Sequence, residues 1–191
     1  MTVNLADADR AVRAVMSGIG RHIDPAIRAT LNARRSARGA ADLFVLLDQA
    51  TWQTDVTNYY NAYFAGIVGG NLAGVLLGCC GFTTPLSHRI RRLFVPTTSN
   101  YGTLVHEFVH WLQHMDAYPA FYETDVDGPY WLEGVTEYFT RKIHAPGRAG
   151  HYDAQLQSVQ NALAGAAVTE DALGAWSFRG GLFPAGLHQF R

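Results

Sequence analysis

The chain has 191 residues, of which 48% are hydrophobic and 16% charged, and its net charge is −1 at neutral pH. Such a composition excludes a disordered chain and leaves ample apolar material for one buried core. The near-zero charge excludes a nucleic-acid binder held by bulk electrostatics. We therefore expect a single domain over residues 1–191, with a sheet-containing part over about 1–116 and a mainly helical part over about 117–191.

Residues 5–16 place Leu5, Ala8, Val12, Val15 and Met16 at helical spacing, ending near Gly18 and Gly20. The N-terminus Met1-Thr2-Val3-Asn4-Leu5-Ala6-Asp7 carries an acid early and no apolar signal core, so a cytoplasmic location is expected, with signal-independent export left open. A second helix starts at the Asp24 cap with Pro25 in its first turn and runs to about Arg35. Arg34, Arg35 and Arg38 read as a solvated helix end. The apolar run 43–47, between Asp42 and Asp48, is a buried strand.

Residues 56–68 admit two readings. Val56, Tyr59, Tyr60, Tyr63, Phe64 and Ile67 fall at helical spacing, whereas Gly66, Gly69, Gly70 and the β-rich composition favour extended structure in the second half. Residues 72–80 read as a strand returning antiparallel, and 90–95 as another closed by Pro96. The uncharged stretch 61–82 holds six glycines, which suits buried sheet better than a membrane span. Adjacent Cys79 and Cys80 have poor geometry for a mutual disulfide and read as small buried hydrophobes.

His106-Glu107-Phe108-Val109-His110 reads HExxH inside an apolar helical segment that Asn100 or Thr103 can cap. Four helical residues turn the chain by about 400° and raise it by about 6 Å, so both imidazoles share one face. They can bind one Zn²⁺, with Glu107 beside the position of an activated water. The alternative is a core helix with two hydrogen-bonded histidines. After this helix come an acidic loop (Glu123, Asp125, Asp127), a turn at Gly128-Pro129, helices over about 130–143 and 151–163, and an irregular tail after Gly174.

A catalytic zinc commonly takes three protein ligands. Glu133 and Glu137 lie four residues apart and share a helix face among large apolar side chains, an expensive arrangement unless they meet a cation. A zinc on His106 and His110 would supply one. Glu137 is expected to orient one of these histidines, or to pair with Arg141 one turn on. His114, one turn past His110, has the same orienting role or is a plain helix-end histidine.

The HExxH followed by Trp131-Leu132-Glu133-Gly134-Val135-Thr136-Glu137-Tyr138-Phe139 resembles the gluzincin metallopeptidases, including the M1 aminopeptidase and bacterial collagenase branches. The resemblance covers residues 103–141 and implies Glu133 as third zinc ligand, with Glu107 as general base. Leu132 stands where the aminopeptidases often carry Asn, so it gives no support to an amine-binding device. Asn61-Ala62-Tyr63-Phe64 is similar to the substrate-holding edge strand of neprilysin-like peptidases, which would make Asn61 and Ala62 substrate-binding; a plain core strand or helix is the alternative. The metzincin pattern is the nearest rival. It would use Asp116 as ligand but lacks its glycine, since Gln113 stands there, and its later methionine turn.

The resemblance implies an α+β, zincin-like fold: a small twisted, mostly antiparallel sheet, an active-site helix and a largely helical C-terminal half. It also implies a peptidase that uses one Zn²⁺ and acts on peptide or protein substrates, without nucleic-acid or membrane partners. Tyr138, Tyr152, His144, His151 and His188 are candidates for the oxyanion donor, and the two tyrosines join Glu107 as expected catalytic residues. A specialised peptide-processing hydrolase, an exported effector protease and an inactive binding module are the other readings.

Overall fold

A computed structural model describes residues 2–63, 81–84, 87–117, 127–145 and 152–190. It is mainly helical with one small sheet, an α+β arrangement. Helix α1 spans Leu5–Ile19 and starts in a capping box: Asn4 Oδ1 accepts from the Ala6 and Asp7 amides, and Asp7 accepts from the Asn4 amide. Its buried stripe is Ala8, Ala11, Val12, Val15 and Ile19. Helix α2, Pro25–Arg38, is capped by Asp24 Oδ1 on the Ala26 amide at 2.6 Å.

Strand β1 is Phe44–Leu47, β2 is Phe82–Thr83 and β3 is Leu93–Pro96. They lie in the order β1-β3-β2, with β1 parallel to β3 and β2 antiparallel to it. The sheet is thus mixed rather than mostly antiparallel. A parallel neighbour needs a crossover, and helix α3, Gln49–Tyr63, forms part of the connection between β1 and β3. Strand β3 starts three residues later than expected, because Ile90 and Arg91 both donate their amides to the Ser87 carbonyl in a turn.

Helix α3 settles residues 56–63 in favour of the helical reading. Asn61 and Ala62 therefore sit in a helix, not an edge strand. Helical backbone presents no strand edge for an extended substrate to pair with, so the expected edge strand is corrected for this pair. The expected strand 72–80, the glycine turn before it and both cysteines lie outside the described residues.

Alternation along β3 divides the core. Leu93 and Val95 join Phe44 against α1 and helix α4 (Tyr101–Leu112), while Phe94 meets Phe82 and the α3 residues Trp52 and Val56 on the other face. The Phe82 and Phe94 rings stack at 4.9 Å. In α4 every residue from Gly102 to Leu112 is buried. Helices α5 (Asp127–Ile143) and α6 (Asp153–Ala164) pack together after it, and α7 spans Glu170–Arg179. The tail is thus more regular than expected: α7 buries Leu173, Trp176 and Phe178 and ends at Gly180 in the left-handed region, before a 3-10 turn at Ala185–Phe190. Among the described residues no helix is long and apolar enough to cross a membrane.

The C-terminal end of α4 is held by Arg91, which is fully buried. Its guanidinium donates to the carbonyls of Trp111 and Gln113, both at 2.8 Å, where helix-end carbonyls lack amide partners. Arg34 in turn donates to the carbonyls of His88 (2.8 Å) and Arg91 (2.7 Å) and pairs with Asp42. Arg34 is therefore a buried cross-link between α2 and the segment before β3, not part of a solvated helix end.

Candidate metal centre

Helix α4 projects His106 and His110 toward α5, which returns Glu133. His106 Nε2 and His110 Nε2 lie 3.1 Å apart, and each is 3.2 Å from Glu133 Oε2. Three donor atoms thus form a nearly equilateral triangle. Around a four-coordinate metal with bonds of about 2.0 Å, donor atoms stand about 3.3 Å apart. His106, His110 and Glu133 can therefore hold one metal ion. The His106 side chain is 1% exposed, that of His110 9% and that of Glu133 20%, so the group opens to solvent on the Glu133 side.

Charge balance agrees with the spacing. Glu107, Glu133 and Glu137 bring three carboxylates together, against one guanidinium from Arg141. Unbalanced buried carboxylates are costly, and one divalent cation offsets the difference. Burial opposes a charged imidazole at His106, but the hydrogen bonds and charges of Glu133 and Glu137 outweigh it and raise its pKa. Burial also works to raise Glu133, yet His110 and His106 hold its carboxyl far below the usual carboxylate range.

The two histidines have different supports behind them. His106 Nδ1 donates to Glu137 Oε2 at 3.1 Å, and Arg141 Nε donates to Glu137 Oε1 at 2.7 Å. Glu137 thus meets both the His106 ring and Arg141. Arg141 also pairs with Asp153 at the start of α6. His110 Nδ1 donates instead to Gln113 Oε1 at 2.7 Å. His114 plays no such part: its ring lies 3.5 Å from Asp116 Oδ2, against Gly180. The chain leaves the helix at Gln113, whose backbone is extended, and this turns His114 away from the face that carries His110. Asp116, the rival ligand, has a side chain 70% exposed and belongs to that same outer pair.

Glu107 is buried against β2. Thr83 Oγ1 donates to the Glu107 carbonyl at 2.9 Å and lies 3.3 Å from Glu107 Oε2. A Cβ on Gly81 would stand 2.9 Å from Glu107 Cγ and 3.0 Å from Oε1, so only glycine leaves the carboxylate its place. Gly134 has a matching function on α5. A Cβ there would meet the Gln155 carbonyl oxygen at 2.8 Å, so its absence lets α6 approach closely beside Glu133.

That approach brings Tyr152, just before α6, over the site: its ring lies parallel to His106 at 5.2 Å. Tyr138 points elsewhere and is corrected as a catalytic candidate. Five helical residues past Glu133 it lies about 140° around the helix, where its hydroxyl donates to Glu170 Oε2 at 2.7 Å. Among the other oxyanion candidates, His144 packs edge-on to Tyr101 and His188 against Phe183, while His151 lies outside the described residues.

Sequence reasoning missed Gln113, Thr136, Ser177, Gly81, Thr83 and Arg91. For Thr136 a signal existed, since it lies three residues past Glu133 on the same helix and so near the same face, whereas Gln113 stands just past the end of α4 with an extended backbone that no helical spacing marks. No family model matches the chain, and no curated protein or solved structure matches it.

Proposed function

We propose that the protein is a zinc-dependent peptidase of gluzincin type, with a zincin-like fold and a single catalytic Zn²⁺ on His106, His110 and Glu133. One observation carries the reading: the 3.1–3.2 Å triangle of two imidazole nitrogens and a carboxylate oxygen, with the buried Glu107 carboxylate on the same helix. A His₂Glu donor set with an open side is the pattern of catalytic rather than structural zinc. When bound, zinc supplies Lewis acidity toward a carbonyl and brings the pKa of a water toward about 7.

The chain's own residues do the remainder. Glu107, fixed by Thr83 and by the space at Gly81, takes a proton from the attacking water on a carboxylate oxygen and returns it to the leaving amine. Glu137 keeps the His106 proton on Nδ1, leaving Nε2 as the donor atom. Tyr152 is the phenol placed to face a developing oxyanion, since its ring covers His106 while Tyr138 is engaged by Glu170. Gly134 and the Arg141–Asp153 pair hold Tyr152 there by seating the start of α6.

The test is metal analysis of the purified protein together with cleavage of a peptide library. One zinc per chain is expected, with cleavage that Glu107→Gln reduces by about 10²–10⁴-fold while the metal stays bound. A well-folded sample that takes up no zinc, or a Glu107→Gln variant that cleaves as well as wild type, would overturn the reading.

A further inference from the structure

The support behind His110 is neutral, and its hydrogen atoms can be assigned one by one. Thr136 Oγ1 donates its single hydrogen to the Leu132 carbonyl at 2.8 Å, in its own helix. That oxygen is then left to accept, and it lies 2.8 Å from the Gln113 side-chain nitrogen and 3.3 Å from His110 Nδ1, on which it too favours a hydrogen. Gln113 Nε2 has a second acceptor in Ser177 Oγ at 3.2 Å. With both amide hydrogens engaged, Gln113 Oε1 is the atom that faces His110 Nδ1, at 2.7 Å. An amide oxygen has no hydrogen to give, so the proton of this contact belongs to Nδ1 and the Nε2 lone pair is released. Gln113, Thr136 and Ser177 are all fully buried, so water does not compete for these bonds. The Gln113 backbone is held as well: its amide donates to the His110 carbonyl at 3.1 Å, and its carbonyl accepts from Arg91 at 2.8 Å.

We propose that Gln113 is a positioning residue whose carboxamide, oriented by Thr136 and Ser177, holds His110 with its proton on Nδ1 and its Nε2 turned toward His106 and Glu133. The inference rests on the zinc reading for its purpose but not for its geometry. A carboxylate already stands behind His106, and a second behind His110 would leave the site one negative charge beyond what a divalent cation offsets. A carboxamide supplies the acceptor without that charge. The arrangement also ties three elements to one ring, since Gln113 ends α4, Thr136 lies on α5 and Ser177 on α7.

Long-range ¹H–¹⁵N correlation spectra of the metal-free protein at about pH 8, above the usual histidine range, read the ring directly. Wild type is expected to show His110 with hydrogen on Nδ1, and Thr136→Val to show a mixture of the two tautomers. Zinc affinity is expected to fall about 10–100-fold in Gln113→Leu and less in Thr136→Val. Thr136→Val, close to isosteric, keeps the test open if Gln113→Leu does not fold. A wild-type His110 that carries its hydrogen on Nε2 alone overturns the proposal, as does a folded Gln113→Leu variant that binds zinc as tightly as wild type. If wild type shows the Nδ1 hydrogen yet takes up no zinc, the peptidase reading fails and the positioning of His110 stands.

Discussion

Among the described residues histidine meets glutamate around Glu133 and around Glu170, and the first of these has the makings of a metal site. Around Glu133 two imidazole nitrogens and a carboxylate oxygen converge within 3.2 Å, and acids outnumber bases. Around Glu170, at the start of α7, His22 stands 3.4 Å away and the charges cancel without help. Arg21 donates to Glu170 at 2.9 Å, Tyr138 at 2.7 Å, and Lys142 pairs with it as well. Burial, with Arg21 beside it, lowers the His22 pKa, whereas His106 is raised. Burial and the neighbouring Glu170 carboxylate together push the Tyr138 phenol up. Proximity of His to Glu is therefore not the criterion. Convergent lone pairs and a shortage of positive charge are, because a cation is stabilised only where the protein has not already supplied one.

Substitution of the two glutamates is the sharpest way to break this contrast. Glu133→Gln is expected to lower zinc affinity by several orders of magnitude, since it removes a ligand and a charge, while Glu170→Gln leaves zinc stoichiometry unchanged; isothermal titration of both variants decides. Next in size, Glu137→Gln is expected to weaken zinc binding by about 10–100-fold through loss of the charge behind His106. Comparable loss of zinc in Glu170→Gln would erase the distinction between the clusters.

Each cluster also has a glycine where a neighbour comes too close for a side chain, and these give a smaller, structural comparison. A Cβ at Gly134 would face the Gln155 backbone carbonyl, and one at Gly174 the His22 ring at 2.6 Å. Alanine at either position is expected to cost about 1–3 kcal/mol in denaturant unfolding. Only Gly134→Ala is expected to reduce peptide cleavage as well, because it displaces the helix that follows Tyr152.

The smallest effect is a pH dependence in the second cluster. Burial works to raise the Glu170 pKa, but Lys142, Tyr138 and Arg21 outweigh it and bring it from 4.5 down to about 2. A carboxylate with a depressed folded pKa contributes stability that is complete above the unfolded value and is lost as pH falls through the folded one. Through the Glu170 carboxylate itself, the stability difference between wild type and Glu170→Gln should therefore shrink from pH 4.5 toward 2. His88 acts in the same direction one step earlier. Burial, with Arg91 beside it, lowers it to about 3, so the unfolded chain takes up a proton first as pH falls below 6.5. Urea midpoints of the two proteins, measured with a chelator present, test the difference; one that grows on acidification would contradict the assignment.

Much of the first cluster was legible in the residues themselves. Apolar patterning placed α1, β1 and α4, cap and turn residues placed α2 and α5, and two i,i+4 pairs put His106 with His110 and Glu133 with Glu137 on common faces. The parallel pairing of β1 with β3 was not legible, because strand direction depends on how the chain crosses between strands. Residues 56–63 gave mixed local signals, and packing of Trp52 and Val56 on Phe82 and Phe94 accompanies the helical outcome. Arg34 looked like part of a solvated helix end, and nothing marked Arg91; their carbonyl partners come from segments with no pattern that marks them as acceptors.

By itself the sequence determined that two imidazoles would share one helix face and two glutamates another, because helical periodicity is local and needs no neighbour. Only the tertiary structure decided which of two tyrosines reaches the site, which of two glutamates meets Nε2 and which Nδ1, and that Gln113 rather than His114 supports His110. Those choices depend on the angle at which α4, α5, α6 and α7 meet. That angle is set by close packing at Gly134 and Gly174 and by the hydrogen bonds of Glu137 and Gln113 behind the two histidines.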